Sequence, residues 1–113
     1  MARKWKPVVL STVDDLIAED WWEIRHRGRR LVAHIAVGRA APDPSGQDWY
    51  CPVLMEGLPE GWAEMKGWKP IYGVGPIDST MNAFVLISRA FHEFGPAPVA
   101  QPKPKARRAR SKK

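Results

Sequence analysis

The chain has 113 residues, of which 44% are hydrophobic, and it carries one cysteine and a formal net charge of +6. This length predicts one domain with a modest core, and one cysteine, Cys51, excludes an intramolecular disulfide and a zinc site made of several cysteines. The apolar run at residues 8–10 is too short for a signal peptide, and no stretch approaches the roughly 20 apolar residues of a membrane span, so we expect a cytoplasmic protein without membrane contact.

The positive charge is concentrated at the C-terminal end. Seven basic residues and no acidic one lie there: Lys103, Lys105, Arg107, Arg108, Arg110, Lys112 and Lys113. Of the 18 basic residues, eleven remain in residues 1–94 beside twelve acidic ones, so the rest of the chain is close to neutral. Because net charge bears on partners rather than on fold, we expect this tail to contact the phosphates of DNA or RNA without reading their sequence.

The first third of the chain predicts a short helix and then a β-hairpin. After a basic segment at residues 1–10, the stretch STVDD has the spacing of a capping box, which predicts a helix over residues 11–20. Apolar and polar side chains then alternate over residues 21–38, as they do in strands. Gly28-Arg29 lies in the middle, and a glycine at the first turn position predicts a II′ turn that pairs residue 26 with residue 31.

Two further strands and a helix are predicted after the hairpin. Residues 39–48 form a loop, and WYCPVLMEG after it predicts a strand, in which Pro52 removes a ladder donor and so indicates an edge or a bulge. WKPIYGVG predicts a fourth, short strand. Six apolar residues then recur at helical spacing, which predicts an amphipathic helix with a buried stripe. They are Ile77, Met81, Phe84, Ile87, Phe91 and Phe94.

Together these elements predict an α+β fold. We expect a three- to four-stranded antiparallel β-sheet in meander order, packed by one C-terminal amphipathic helix and preceded by a short N-terminal helix. The residues after the helix are rich in Pro, Ala, Lys and Arg without apolar periodicity, which predicts a disordered basic tail. The chain therefore divides into a basic N-terminal segment, 1–10, a single α+β domain, 11–94, and the tail, 95–113.

The stretches DWYCPVLMEG and GWKPIYGVGPID, with the closing helix, resemble a family of small bacterial proteins classed as a domain of unknown function, the one numbered 6968. The resemblance covers about residues 20–94. This chain differs in having Gly-Pro-Ile between its Tyr-Gly-Val and Asp78. The resemblance implies a compact fold of sheet and helix, and it implies no activity and no functional residues.

Six tryptophans in a short chain point to aromatic docking. Three fall in predicted strands and are expected in the core: Trp22, Trp49 and Trp68. The other three fall at an element edge or in loops, where an exposed indole often anchors a protein interface: Trp5, Trp21 and Trp62. Acidic neighbours of Trp21 and Trp62 would repel phosphate, so we expect a protein partner there.

Chemical sites have weak support in the sequence. Cys51 is the candidate nucleophile, with a histidine as its base, and a buried inert thiol is the more common alternative. His26 and His34 lie at offset positions of paired strands without a third ligand, which does not make a zinc site. The turn YGVGPID precedes a helix N-terminus, which can accept an anion. The sequence thus predicts no catalytic residue, no metal ligand and no cofactor.

The leading hypothesis is therefore a non-enzymatic interaction module whose basic tail associates non-specifically with nucleic acid. The first alternative is a protein-binding assembly or inhibitor protein, such as one encoded by a phage, in which the tail only aids solubility. The second alternative is a thiol-dependent enzyme that uses Cys51.

Overall fold

The computed structural model describes residues 15–59, 61–62 and 66–99. The described chain forms six strands and one helix: β1 (Leu16–His26), β2 (Arg29–Gly38), β3 (Ala41–Pro42), β4 (Trp49–Glu56), β5 (Trp68–Gly73), α1 (Pro76–Phe94) and β6 (Ala97–Pro98). All strand pairs are antiparallel, and the helix packs on the sheet, which confirms the predicted α+β class. The predicted basic segment at residues 1–10 and the seven basic residues of the tail lie outside the described residues.

β1 and β2 form a long hairpin, as the alternation of side chains predicts. Its turn consists of Arg27 and Gly28, whose φ angles of 54° and 77° are both positive, as in a type I′ turn. His26 therefore pairs with Arg29. The turn predicted at Gly28-Arg29 was one residue too late, because the glycine takes the second turn position. Since the register moves by two residues, each side chain keeps its predicted face.

The predicted N-terminal helix is wrong for the residues that the structure describes. Residues 16–20 extend β1, where Ala18 pairs with Val37 of β2. A helix of ten residues is marginal on its own, whereas the extended chain gains cross-strand hydrogen bonds. A register shift makes Ile17 the extra residue of a β-bulge. Residues 11–14 lie outside the described chain.

The four long strands lie side by side in chain order, which confirms the predicted meander. β3 lies on the same side of β4 as β2, since β5 occupies the other side. Val37 pairs with Val53, and Ala41 pairs with Tyr50. The β2–β3 segment therefore uses four residues where β4 uses three, so β3 continues β2 after a bulge. β6 adds to the outer edge of β1, beyond the predicted domain end at residue 94. The sheet exceeds the three or four strands predicted, because strands of two residues have no detectable period.

Pro52 lies inside β4, which has a neighbouring strand on each side. It pairs with Pro70 of β5, and on its other side it faces the bulge between β2 and β3. Two prolines opposite each other fit a pair that exchanges no hydrogen bonds, which needs no N–H from either residue. The predicted bulge is therefore found beside Pro52, and β4 is not an edge strand.

Helix α1 lies mainly over β4 and β5 and covers one face of the sheet. Pro76 occupies its first turn, and Gly95 ends it with a left-handed φ of 52° and an N–H that donates to the Phe91 oxygen at 2.9 Å. The sheet supplies most of the buried core: Trp22, Ile24, Ala33, Ile35, Val37, Cys51, Val53 and Met55. Within the described chain, no helix has the length and apolar character needed to cross a membrane.

Small residues, rather than the predicted large ones, lie on the inner face of α1. Ser79, Ala83 and Ala90 are each 0% exposed. They allow a close approach at the start of the helix, where a Cβ added to Gly73 at the end of β5 would lie 2.4 Å from the Ser79 nitrogen. Close packing of the two backbones therefore selects small side chains for this face.

Four members of the predicted buried stripe are exposed as a result: Ile77 by 74%, Met81 by 61%, Phe84 by 42% and Phe91 by 46%. Ile87 and Phe94 do pack against the core. Phe91 keeps an edge contact with the Trp22 ring, at 5.5 Å between ring centroids. The prediction is wrong for Ile77, Met81 and Phe84, which lie on the outer face of the helix.

Candidate interaction surfaces

The tip of the β1–β2 hairpin concentrates arginine. Four exposed arginines flank or form the turn, and we call them the arginine tip: Arg25, Arg27, Arg29 and Arg30. The described chain holds eight basic and nine acidic residues, so half of its positive charge lies within six residues. The tight turn keeps these guanidinium groups at one end of the sheet. The result is a positive end on a nearly neutral body.

One carboxylate partly balances the arginine tip. Glu23 lies 3.2 Å from the Arg30 Nε and 3.7 Å from an Arg25 Nη. These arginine side chains are 53% and 71% exposed, so the pairs contribute little stability and can exchange for another anion. Among the described residues, Glu23 is thus shared by two of the four tip arginines.

A hollow of about 270 Å³ opens beside the turn and is lined by His26, Arg27, Arg29, Leu31 and Pro59. The Nε2 atom of His26 is buried there without a hydrogen-bond partner among the described residues. Its ring packs edge-on against Phe94, at 6.3 Å between centroids. Because the Nε2 atom is enclosed, a ligand in the hollow would meet the lining arginine side chains and not this nitrogen.

The outer face of α1 is a second surface, and it is apolar. Ile77, Met81 and Val85 are 74%, 61% and 57% exposed, and Ile17 beside them is 47% exposed. Large apolar residues that are exposed singly are common, but these form one contiguous patch.

These residues border an elongated groove of about 820 Å³, which we call the α1 groove. The helix supplies one wall through residues spaced by one turn, and Ile17, Arg39 and Ala40 supply the other. A smaller cleft of about 220 Å³ adjoins it where Phe84 and Ile87 lie over Trp22 of β1. The helix therefore covers the β4–β5 side of the sheet and leaves an apolar furrow towards β1.

Two arginines mark the rim of the α1 groove. Arg39 is engaged, since its Nε lies 2.7 Å from an Asp15 oxygen. Arg89 has no salt bridge to any residue of the described chain and lies in the last third of the helix. Asp78 lies in the first turn, where its carboxylate accepts the Val74 N–H at 2.9 Å. The Asp78 carboxylate therefore faces the turn between β5 and α1, and the charged residues that line the groove are Arg39 and Arg89.

The predicted docking tryptophans are partly enclosed where the structure describes them. Trp21 stacks on His34, with centroids 4.5 Å apart and planes 7° from parallel. His34 Nε2 in turn lies 2.7 Å from a Glu19 oxygen. Trp21 therefore belongs to an ordered cluster on the sheet face away from α1, with one ring face covered. Trp5 lies outside the described residues.

Trp62 closes the end of the core instead of standing free. Its indole Nε1 donates to a Glu93 oxygen at 3.0 Å, and its ring lies 6.4 Å from that of Phe94. This contact ties the loop before β5 to the C-terminal end of α1. Of the predicted core tryptophans, Trp22 is buried, whereas Trp49 and Trp68 are half-buried.

Cys51 lies beneath α1 and is 0% exposed. Its thiol donates to the Gly38 oxygen at 3.4 Å. Burial raises the pKa of the Cys51 thiol above its ordinary value of 9.0, and a hydrogen bond with the Thr80 side chain lowers it to a lesser extent. The thiol is protonated and enclosed at neutral pH, as in an inert core cysteine.

The remaining candidates are held apart or already occupied. His26 and His34 lie eight positions apart on opposite strands, and the described residues contain no group of three side chains able to hold a metal ion. At the N-terminus of α1, the Asp78 carboxylate in the first turn already supplies a negative charge, which disfavours a second anion there, and it accepts the N–H of Val74 ahead of the helix.

Sequence reasoning missed both surfaces that the structure brings forward. The arginine tip is visible as RHRGRR, but the division of charge along the chain drew attention to the tail and treated the body as neutral. The α1 groove was missed because its large residues were assigned to the core. The signal for it was that the helix has more large apolar residues than one face can hold, together with small residues at Ser79, Ala83 and Ala90 that can form the inner face.

Comparison of the chain with known protein families, with characterised proteins and with solved structures finds no match. The resemblance to the family numbered 6968 therefore stays a prediction. Function has to be inferred from the surfaces and from the chemistry of the residues on them.

Proposed function

We propose that this protein is a non-enzymatic interaction module that associates with nucleic acid without reading its sequence. The observation that carries the proposal is the arginine tip, which places four exposed arginines at one end of the body. One guanidinium group can donate two parallel hydrogen bonds to one phosphate. The two-stranded hairpin is also narrow enough to enter a groove of a nucleic-acid duplex. The partner is the phosphate backbone of DNA or RNA.

The basic tail supplies the second part of this contact. Its seven charges lie outside the described residues, and they follow the body in the same chain. Neutralising phosphates releases counterions, so a full contact of the tail with duplex DNA gives a slope of log affinity against log salt of roughly −6, and two tip arginines add roughly −2. A free thiol fits a reducing compartment, and we place this association in the cytoplasm.

The test is a salt titration of binding to a labelled duplex of arbitrary sequence, followed by fluorescence anisotropy. The full-length chain is compared with a variant in which Arg27→Asn and Arg29→Gln remove two charges from the tip. We expect the salt slope to fall in magnitude by roughly 2, with affinity lost equally on duplexes of different sequence. A second variant with all seven tail residues changed to glutamine should lose most of the remaining slope.

The matched control carries Lys66→Gln and Lys69→Gln, which remove the same charge from the body, before and within β5, at residues that line neither the arginine-tip hollow nor the α1 groove. This variant should keep the wild-type slope to within about one unit. If the control and the tip variant weaken binding alike, general attraction to net charge explains the result, and the arginine tip is not a site.

A second candidate function, protein docking, is favoured by the exposed apolar α1 groove. The contacts that enclose Trp21 and Trp62 shift this role from the indoles to Met81, Phe84 and Val85, which line the groove. A photo-crosslinking residue at position 85 should capture a protein that the same residue at position 74 does not, since Val74 is 81% exposed and lies outside the groove. Equal capture at both positions would contradict docking at the groove.

The other two alternatives have less support. An assembly or inhibitor protein whose tail only aids solubility would bind nucleic acid no better than its tail-neutralised variant. A thiol-dependent enzyme would need an accessible thiolate at position 51, and burial with a raised pKa works against that. Absence of labelling by a thiol reagent in the folded protein would remove the enzyme alternative.

A further inference from the structure

We infer that the α1 groove is the binding site for a second copy of this chain, so that the α1 helices of the two copies pack antiparallel across a two-fold axis. The inference rests on the second candidate function above, docking at the groove, and commits it to one occupant. It follows from the spacing of the lining residues, from the position of Arg89 and from the apolar area exposed.

The spacing of the lining residues makes the groove self-complementary. The helix residues that line it come in four neighbouring pairs, one pair per turn: Pro76 and Ile77, Thr80 and Met81, Phe84 and Val85, Ser88 and Arg89. These form two parallel rows with a spacing of four residues, which is the ridge geometry of the most common class of helix packing. A ridge of one copy therefore fits the groove between the two ridges of the other.

The rows are also symmetric about the point between residues 82 and 83. A two-fold axis there places Met81 opposite Phe84 of the second copy, and Ile77 opposite Ser88. Large residues thereby meet large ones at the centre, and the exposed Ile77 side chain meets a small residue near each end. Such a contact is isologous, since each residue finds its partner twice.

The position of Arg89 fits the same arrangement. Arg89 lines the groove near the C-terminal end of the helix, and the two-fold axis brings it level with Pro76 of the second copy. The two Arg89 side chains then lie at opposite ends of the contact. A parallel arrangement would instead bring Arg89 beside Arg89, where two cations repel each other.

The exposed apolar area reaches the size expected of a biological interface. The exposed fractions of the five large apolar residues that line the groove add up to just under three whole residues: Ile17, Ile77, Met81, Phe84 and Val85. At about 200 Å² for a whole large side chain, this is roughly 550 Å² on each copy. Two copies would cover roughly 1,100 Å², which exceeds the roughly 1,000 Å² that a biological interface needs.

Dimerisation has a consequence for nucleic acid. A dimer carries two arginine tips and two tails. Once one tip and tail have bound a duplex, the other tip and tail are held close to the same duplex, which raises their local concentration there. The dimer should therefore bind a long duplex more tightly than the monomer, by more than the factor of two expected from counting sites.

The first experiment measures the mass of the full-length chain by sedimentation equilibrium over a wide concentration range. We expect a monomer–dimer equilibrium that Val85→Asn weakens at least about tenfold, as for a central contact, whereas Val74→Asn leaves it unchanged. Both substitutions change an exposed valine to the same residue, at 57% and 81% exposure, so a general effect of polarity affects both alike. A monomer at every concentration overturns the inference.

The second experiment tests the antiparallel axis with single cysteines under oxidising conditions. Cys51 is buried and does not compete. Met81→Cys lies within about two residues of the axis, so its two copies come within reach of a disulfide, whereas the two copies of Ile77→Cys stand roughly 16 Å apart along the helix. Cross-linking at 81 alone supports the arrangement, and cross-linking at both positions or at neither contradicts it.

Failure of the dimer and failure of docking at the groove are distinguishable. A chain that stays monomeric but still cross-links another protein from position 85 retains the docking function and loses this inference. A monomeric chain with no cross-link at position 85 loses both. The arginine tip is unaffected in either case, because its test uses nucleic acid alone.

Discussion

The two faces of helix α1 contrast in a way that reverses the usual expectation for an amphipathic helix. The inner face buries Ser79, Ala83 and Ala90, and the outer face exposes Ile77, Met81 and Val85. Side-chain size thus sets the distance between helix and sheet, and the large residues lie where nothing in the described chain covers them. The difference teaches that burial follows the fit between backbones, and that a surplus of large apolar residues is a sign of an interface.

The sharpest way to break this contrast is to add one methyl group where the backbones approach. Gly73→Ala places a Cβ 2.4 Å from the Ser79 nitrogen and 2.7 Å from its Cα, and backbone atoms cannot rotate away. We expect a loss of about 3 kcal/mol in the free energy of unfolding, from overpacking. Urea denaturation followed by circular dichroism measures it.

The matched glycine for this prediction is two residues later. Around Gly75 no atom of the described chain lies within 4 Å of an added Cβ, and its backbone is extended. Gly75→Ser should change stability by no more than about 0.5 kcal/mol, because serine is a favoured residue before a helix. A similar loss in both variants would mean that the helix does not approach β5 as closely as described.

A smaller effect comes from exchanging sizes between the faces. Ala83→Met on the inner face should cost about 2 kcal/mol, because the site has no free volume for three more heavy atoms. Met81→Ala on the outer face removes the same group and should change the monomer by no more than about 0.5 kcal/mol. Thermal unfolding at low protein concentration checks both, and equal losses would contradict the assignment of faces.

The smallest effect is the pH dependence that comes from Cys51 under the inner face. Its pKa is raised by burial, so the thiol loses its proton at lower pH in the unfolded chain than in the folded one. The stability that comes from keeping this thiol protonated in the folded chain is fully present below about pH 9. It is lost as the pH rises from about 9 through the folded pKa. Comparison of Cys51→Ala with wild type between pH 7 and pH 11 measures it; an identical dependence would show that the thiol does not titrate differently on folding.

The elements with a strong period were predictable, and those set by distant contacts were not. The hairpin, the strand around Pro52 and the C-terminal helix follow from local patterns. The N-terminal helix failed because residues 16–20 are held extended by pairing with β2, a contact that a capping pattern cannot reveal. The two-residue strands β3 and β6 exist only as continuations of longer neighbours.

The candidate surfaces were less predictable than the fold. The order of the tryptophans along the chain could not show that Trp21 stacks on His34 or that Trp62 bonds Glu93, since both contacts need the folded chain. The burial of Cys51 was expected from residue type, and its burial is confirmed. The arginine tip could have been predicted from the position of the hairpin turn alone, and Gly28 located that turn to within one residue.

Strand β6 bears on how this protein should be cut. β1 lies beside β2 on one side, and its other edge is paired by β6 only at Trp22 and Glu23, with the Val99 N–H donating to the Trp21 oxygen at 3.2 Å. Exposed strand edges recruit other chains, and this short cover, the bulge at Ile17 and the nearby acidic side chains all hinder such pairing. A truncation after Phe94 would remove the tail charges and uncover this edge together, so aggregation could be mistaken for loss of function. A cut after Val99 separates the two.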